Sequence, residues 1–117
     1  MAMLVELKAL GVSVDAALTA LGGNTALYDR LIFKLRDKLK AADAVINFDE
    51  EHLTETEETI HALKGASGSL SFTPLFEAYS EAMRLLREHQ PRQAEAVIKE
   101  LEPLKNDIVS CIDKYSA

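Results

Sequence analysis

His61 is the residue of this chain best placed to do chemistry, because of what stands beside it. The stretch Ile60-His61-Ala62-Leu63-Lys64-Gly65-Ala66-Ser67-Gly68-Ser69-Leu70 reads as helix. At about 100° per residue, Thr56, Thr59, Ile60, Leu63, Ala66, Ser67 and Leu70 gather on one side as a core stripe. His61 projects almost opposite that stripe, and Lys64, Gly65 and Gly68 fall within about 60° of it. An imidazole in water is a good nucleophile, since its ordinary pKa of about 6.5 leaves most of it uncharged near neutrality. Lys64 adds a cation one turn away. Glycine inside a helix costs roughly 1 kcal/mol relative to alanine, so two on the histidine's face need a reason. One reason is access, a shelf without side chains that a partner can approach. The other is a helix end or a tight helix crossing. Their position away from the core stripe favours access.

The elements that must hold this face read as helical throughout. Asp15 is placed to cap a short helix that stops at Gly22-Gly23. Asn24 caps a longer one with a stripe of Leu27, Leu31, Leu35 and Leu39, widened by Ile32. A polar stretch at 47–51 breaks the pattern, and Thr54-x-x-Glu57 forms a capping box for the histidine helix. Thr73-Pro74 starts the next helix, whose buried face would hold Leu75, Tyr79, Met83 and Leu86. Gln90-Pro91 starts the last, with Ala94, Val97, Leu101, Leu104, Ile108, Cys111 and Tyr115 along its stripe. Pro103 lies inside that stripe and should kink or split the helix. Long amphipathic segments joined by short polar connections predict an all-α, antiparallel, up-and-down four-helix bundle. Residues 1–11 are apolar enough for a short additional N-terminal helix or a linker to a parent protein, with the core of a single domain over 12–117.

His61-Ala62-Leu63-Lys64-Gly65 resembles the H-x-L-K-G signature of histidine-containing phosphotransfer (HPt) domains of multistep phosphorelays. Val14 through Asn24 is similar to the family's short first helix ending at paired glycines, and Leu27-Tyr28 with the helix after it also fits. The likeness runs from about Val12 to the C-terminus. It implies an antiparallel four-helix bundle whose histidine takes a phosphoryl group from a receiver-domain aspartyl phosphate and hands it to an aspartate on another receiver. On that resemblance His61 is the phosphorylated residue, Lys64 the phosphoryl-stabilising cation, and Gly65 the small residue against which the receiver docks. Gly68, Glu57 and Glu58 fall in the same docking patch. The implied partners are response-regulator receivers and a sensor histidine kinase of the hybrid type. The transition state is loose, with charge spread over three oxygens, which suits a flexible lysine. Two departures stand out: Ser71 occupies a position where the family commonly has glycine, and Glu57 and Glu58 make the turn before the histidine acidic.

Nothing in the chain spells a nucleotide-binding loop or a carboxylate cluster for a metal beside His61. The expectation is therefore a phosphocarrier, not an enzyme, with no cofactor or metal of its own; the receiver supplies both carboxylate and metal. A net charge of −6 disfavours nucleic acid. One cysteine excludes an internal disulfide, and no segment approaches the roughly 20 apolar residues of a membrane span, so the expected setting is cytoplasmic; the domain is expected to be monomeric. His52 and His89 read as loop or helix-end residues, Cys111 as core, and Arg84–Arg87 and Lys34–Lys40 as solvated faces. The competing readings are an unphosphorylated interaction bundle tethering a receiver or kinase, and a chemotaxis-type phosphoacceptor domain loaded from ATP. A kinase dimerisation helix is disfavoured, since Ala62 stands where an acidic residue should follow the histidine.

Overall fold

The computed structural model describes residues 2–116, and these are helical apart from short connections. In chain order the helices are α1 (Ala2–Ala9), α2 (Val14–Ala20), α3 (Thr25–Ala42), α4 (Leu53–Ser69), α5 (Thr73–Arg87) and α6 (Pro91–Lys114), with one 3-10 turn at Glu50–His52 before α4. Helices α3 to α6 enclose the core: α3 touches α4, α4 touches α5, α5 touches α6, and α6 returns to α3. Helix α1 buries Met3, Leu4 and Leu7 against α6 and α2. Glu6 adds contacts to Lys114 and Tyr115 at the end of α6.

The helix ends carry much of the architecture. Asn24 accepts the Leu27 amide at 3.0 Å, as an N-cap should. Helices α2, α4 and α5 close with one bond pattern, in which the second residue past the cap reaches back five positions: Gly23 N to Leu18 O, Phe72 N to Ser67 O, Gln90 N to Leu85 O. That motif puts the intervening residue in the left-handed region, at Gly22 (φ 65°), Ser71 (φ 60°) and His89 (φ 60°). Ser71 thus takes the backbone conformation that a glycine enters without cost. Its carbonyl also accepts the Ser13 amide at 2.8 Å, which ties the start of α2 to the turn between α4 and α5.

Several sequence expectations need correction. Helix α3 turns Tyr28, Ile32, Leu35, Leu39 and Ala42 inward, leaving Leu27 and Leu31 half-buried, because the Tyr28 hydroxyl donates to the Leu70 carbonyl inside the core. Ser13 stands at the N-cap position of α2 without a side-chain capping bond, its hydroxyl bonding that of Thr73 instead, and Asp15 lies in the first turn. Thr54 and Glu57 make no capping box, since the 3-10 turn carries the chain directly into α4 at Leu53. Phe72, not Thr73, is the cap of α5. On α5 Leu85 and Ala82 are buried where Leu86 was expected, and on α6 Ile98, Lys105 and Ile112 are buried where Val97, Leu104 and Tyr115 were. Pro103 neither ends nor divides α6, which runs unbroken from Pro91 to Lys114. Pro103 and Lys99, whose carbonyl loses its helical donor, both lie on the exposed side, where water replaces the bond.

Candidate functional site

Helix α4 presents the site because its opposite face is locked inward. Thr56, Ile60, Leu63 and Ser67 are buried, and Thr56 is pinned in register by two bonds to Asn47, accepting its amide at 2.8 Å and donating to its carbonyl at 2.7 Å. The other face must then look out. His61 and Gly65 are exposed, and Lys64 is half-buried one turn along.

His61 borders an open groove of about 340 Å³ between α4 and α5, lined also by Thr54, Glu57, Glu58, Met83 and Arg87. The placement follows from helix stereochemistry, since side chains lean toward the helix N-terminus. The ring of His61 accordingly covers the preceding turn, that of Glu57 and Glu58, and Lys64 leans back over the turn of His61. Lys64 does not line the groove; the cation there is Arg87.

Arg87 is the residue that reading the chain passed over as part of a solvated face. Its neighbour Arg84 fits that description, held by Glu81 and by Glu88 at 2.8 Å. Those carboxylates hold the Arg84 guanidinium far above its ordinary pKa. Arg87 has no ion-pair partner among the described residues. The available signal was its i+4 spacing from Met83, which places both on one stripe of α5. Nothing local showed that this stripe lies against His61.

The two glycines part company. A methyl group built on Gly65 meets nothing within 4 Å, so the shelf there is open. One built on Gly68 would stand 2.8 Å from Cδ1 and 3.0 Å from Cε1 of Phe76. Gly68 is exposed as expected, but the edge of the half-exposed Phe76 ring occupies the space its side chain would take, so the residue also serves a close helix crossing.

Residues 25–109, from the start of α3 to within the last two turns of α6, match the family model of the Hpt domain. The chain belongs to the Hpt domain family. The match begins after α1 and α2, and no curated protein or solved structure matches significantly. Hpt domains carry phosphoryl groups on histidine in phosphorelays and interact there with receiver domains and histidine kinases. No helix among the described residues is long and apolar enough to cross a membrane. No group of three or more His, Cys, Asp or Glu side chains among them could hold a metal ion. His52 is half-buried at the entry to α4, His89 is exposed beyond α5, and Cys111 is buried in the core, where desolvation raises its thiol pKa.

Proposed function

We propose that this domain is a phosphorelay intermediate: His61 accepts a phosphoryl group from the aspartyl phosphate of one receiver domain and passes it to the aspartate of another. The observation that carries the reading is an exposed imidazole bordering an open groove, one turn from a glycine with empty space where a side chain would stand. In the loading step a neutral ring nitrogen of His61 attacks phosphorus. The P–O bond to the receiver aspartate breaks, and its electron pair returns to the carboxylate. The other ring nitrogen carries the proton throughout. Onward transfer reverses these bonds on the second receiver. Lys64 from α4 and Arg87 from α5 approach the transferring oxygens from two sides, each favouring the charge developed in the transition state. The carboxylate and metal come from the partner, and this chain brings the imidazole.

Gly65 is the contact point of the docking face in this reading. On the far flank of α4 a shallow apolar depression lined by Ala41, Val45, Thr59 and Ala62, with Lys38 at its rim, extends the surface on which a receiver rests. Helices α3 to α6 are read as an up-and-down antiparallel bundle. The ion pairs between α3 and α6 support this: Arg36 and Lys40 pair with Asp113, whereas Asp43, just past the end of α3, pairs with Lys105, further back along α6. The whole chain is read as one monomeric, cytoplasmic domain, α1 being an addition to it.

The test is loading by a phosphorylated receiver. Wild-type protein should take up an acid-labile, base-stable label that His61→Gln abolishes. Label persisting in that variant removes the proposal. Loading by a kinase catalytic domain and ATP, with none from any receiver, would instead favour the chemotaxis-type reading.

A further inference from the structure

The groove beside His61 contains more negative charge than an anion-accepting site needs. Glu57 and Glu58 stand four and three residues before His61, so their Cβ atoms lie about 5–6 Å from that of the histidine. Both line the groove that His61 borders, and the ring leans toward their turn. Neither has an ion-pair partner among the described residues, although Arg87 lines the same groove. A phosphoryl group adds about −1.5 to −2 charges at neutral pH. On His61 it would sit beside two carboxylates that no ion pair holds, a repulsion that the unmodified ring does not meet.

We infer that Glu57 and Glu58 raise the free energy of phosphorylated His61 relative to the free imidazole, so that the groove favours passing the group on over storing it. The inference rests on His61 being the phosphoryl carrier. Its signature differs from a docking role. A residue that only contacts a receiver changes the affinity or rate of transfer, whereas one that disfavours phosphohistidine changes an equilibrium in which no receiver takes part.

The experiment follows that distinction. The full chain is equilibrated with phosphoimidazole and imidazole at a fixed ratio. The P–N bond of the small molecule breaks, the equivalent bond to His61 forms, and imidazole is released, so no other reactant is needed. The ratio of phosphorylated to free His61 is read by intact mass and 31P NMR. Screened repulsion from two carboxylates at this spacing corresponds to a change of about 3- to 10-fold. Glu57→Gln/Glu58→Gln should therefore raise the ratio by about that factor at low salt, with the gain shrinking toward 1 M salt, where the screening length is about 3 Å. A control pair, Glu55→Gln/Glu100→Gln, removes the same net charge from exposed sites outside the groove and should leave the ratio near wild type. An unchanged or lower ratio in the first pair, or an equal rise in the control, overturns the inference. Failure of receiver loading in the His61 test would strike the function itself and leave this equilibrium readable.

Discussion

Replacing each helical glycine of α4 by alanine should separate an open shelf from a packed crossing. Alanine is favoured over glycine in a helix interior by about 1 kcal/mol. At Gly65 the new methyl group meets no atom within 4 Å, so nothing opposes that gain and Gly65→Ala should stabilise the domain by about 0.5–1 kcal/mol. At Gly68 the backbone gain is the same, but the methyl carbon would lie 2.8 Å from Phe76 Cδ1. Carbon atoms rest about 3.5–4.0 Å apart, so the ring must move out by about an ångström and give up its hold on α4. Overpacking of this kind costs about 1–3 kcal/mol, which leaves Gly68→Ala destabilised by up to about 2 kcal/mol once the gain is subtracted. The measurement is urea unfolding at pH 7 followed by far-UV circular dichroism, with Gly68→Ala repeated in a Phe76→Ala background, where the helix gain should reappear. Equal stabilisation at both positions would show that Phe76 does not need the space at Gly68. A destabilised Gly65→Ala would show that the shelf is not open. Transfer from a receiver should meanwhile slow as the side chain at Gly65 grows, from alanine to leucine, while the fold is retained. Such a split between stability and rate is what a glycine kept for access produces.

Other perturbations follow from the same structure. Arg87→Gln should slow receiver-dependent loading of His61 severalfold, and Arg84→Gln, whose arginine is already engaged by Glu81 and Glu88, should not; equal effects in a transfer time course would refute the distinction. Tyr28→Phe removes the 2.7 Å bond to Leu70 O and orphans a buried carbonyl, so urea unfolding should register a loss of about 1–2 kcal/mol. Ser71→Gly relieves a left-handed backbone at φ 60° and should stabilise the domain by about 1 kcal/mol in the same assay; a loss would mean that the serine side chain contributes more than the strain it imposes. Lys40 and Arg36 hold the Asp113 carboxyl below its ordinary pKa. Its contribution to stability is therefore present above about pH 4 and is lost as pH falls through the lowered value, so unfolding midpoints should drop less between pH 5 and pH 2 in Asp113→Asn than in wild type.

Relations within one helix were legible in the sequence. The 3.6-residue period alone separates His61 and Gly65 from Thr56, Ile60, Leu63 and Ser67, because rotation about a helix axis depends only on residue count. The Asn24 cap, the stop at Gly22-Gly23 and the start at Pro91 are local backbone chemistry, and they too stand where the residue types put them. Relations between helices were not legible in this way. That Arg87 shares the groove of His61 while Arg84 is engaged elsewhere, that Phe76 closes the space over Gly68, and that Tyr28 rather than Leu27 enters the core each depend on the register of one helix against another. That register is set by how side chains distant in sequence fill a shared interior, and by bonds such as those of Thr56 to Asn47 and Tyr28 to Leu70. A hydrophobic stripe states which face must be covered. Only the packed fold decides what covers it, and so which charges His61 meets.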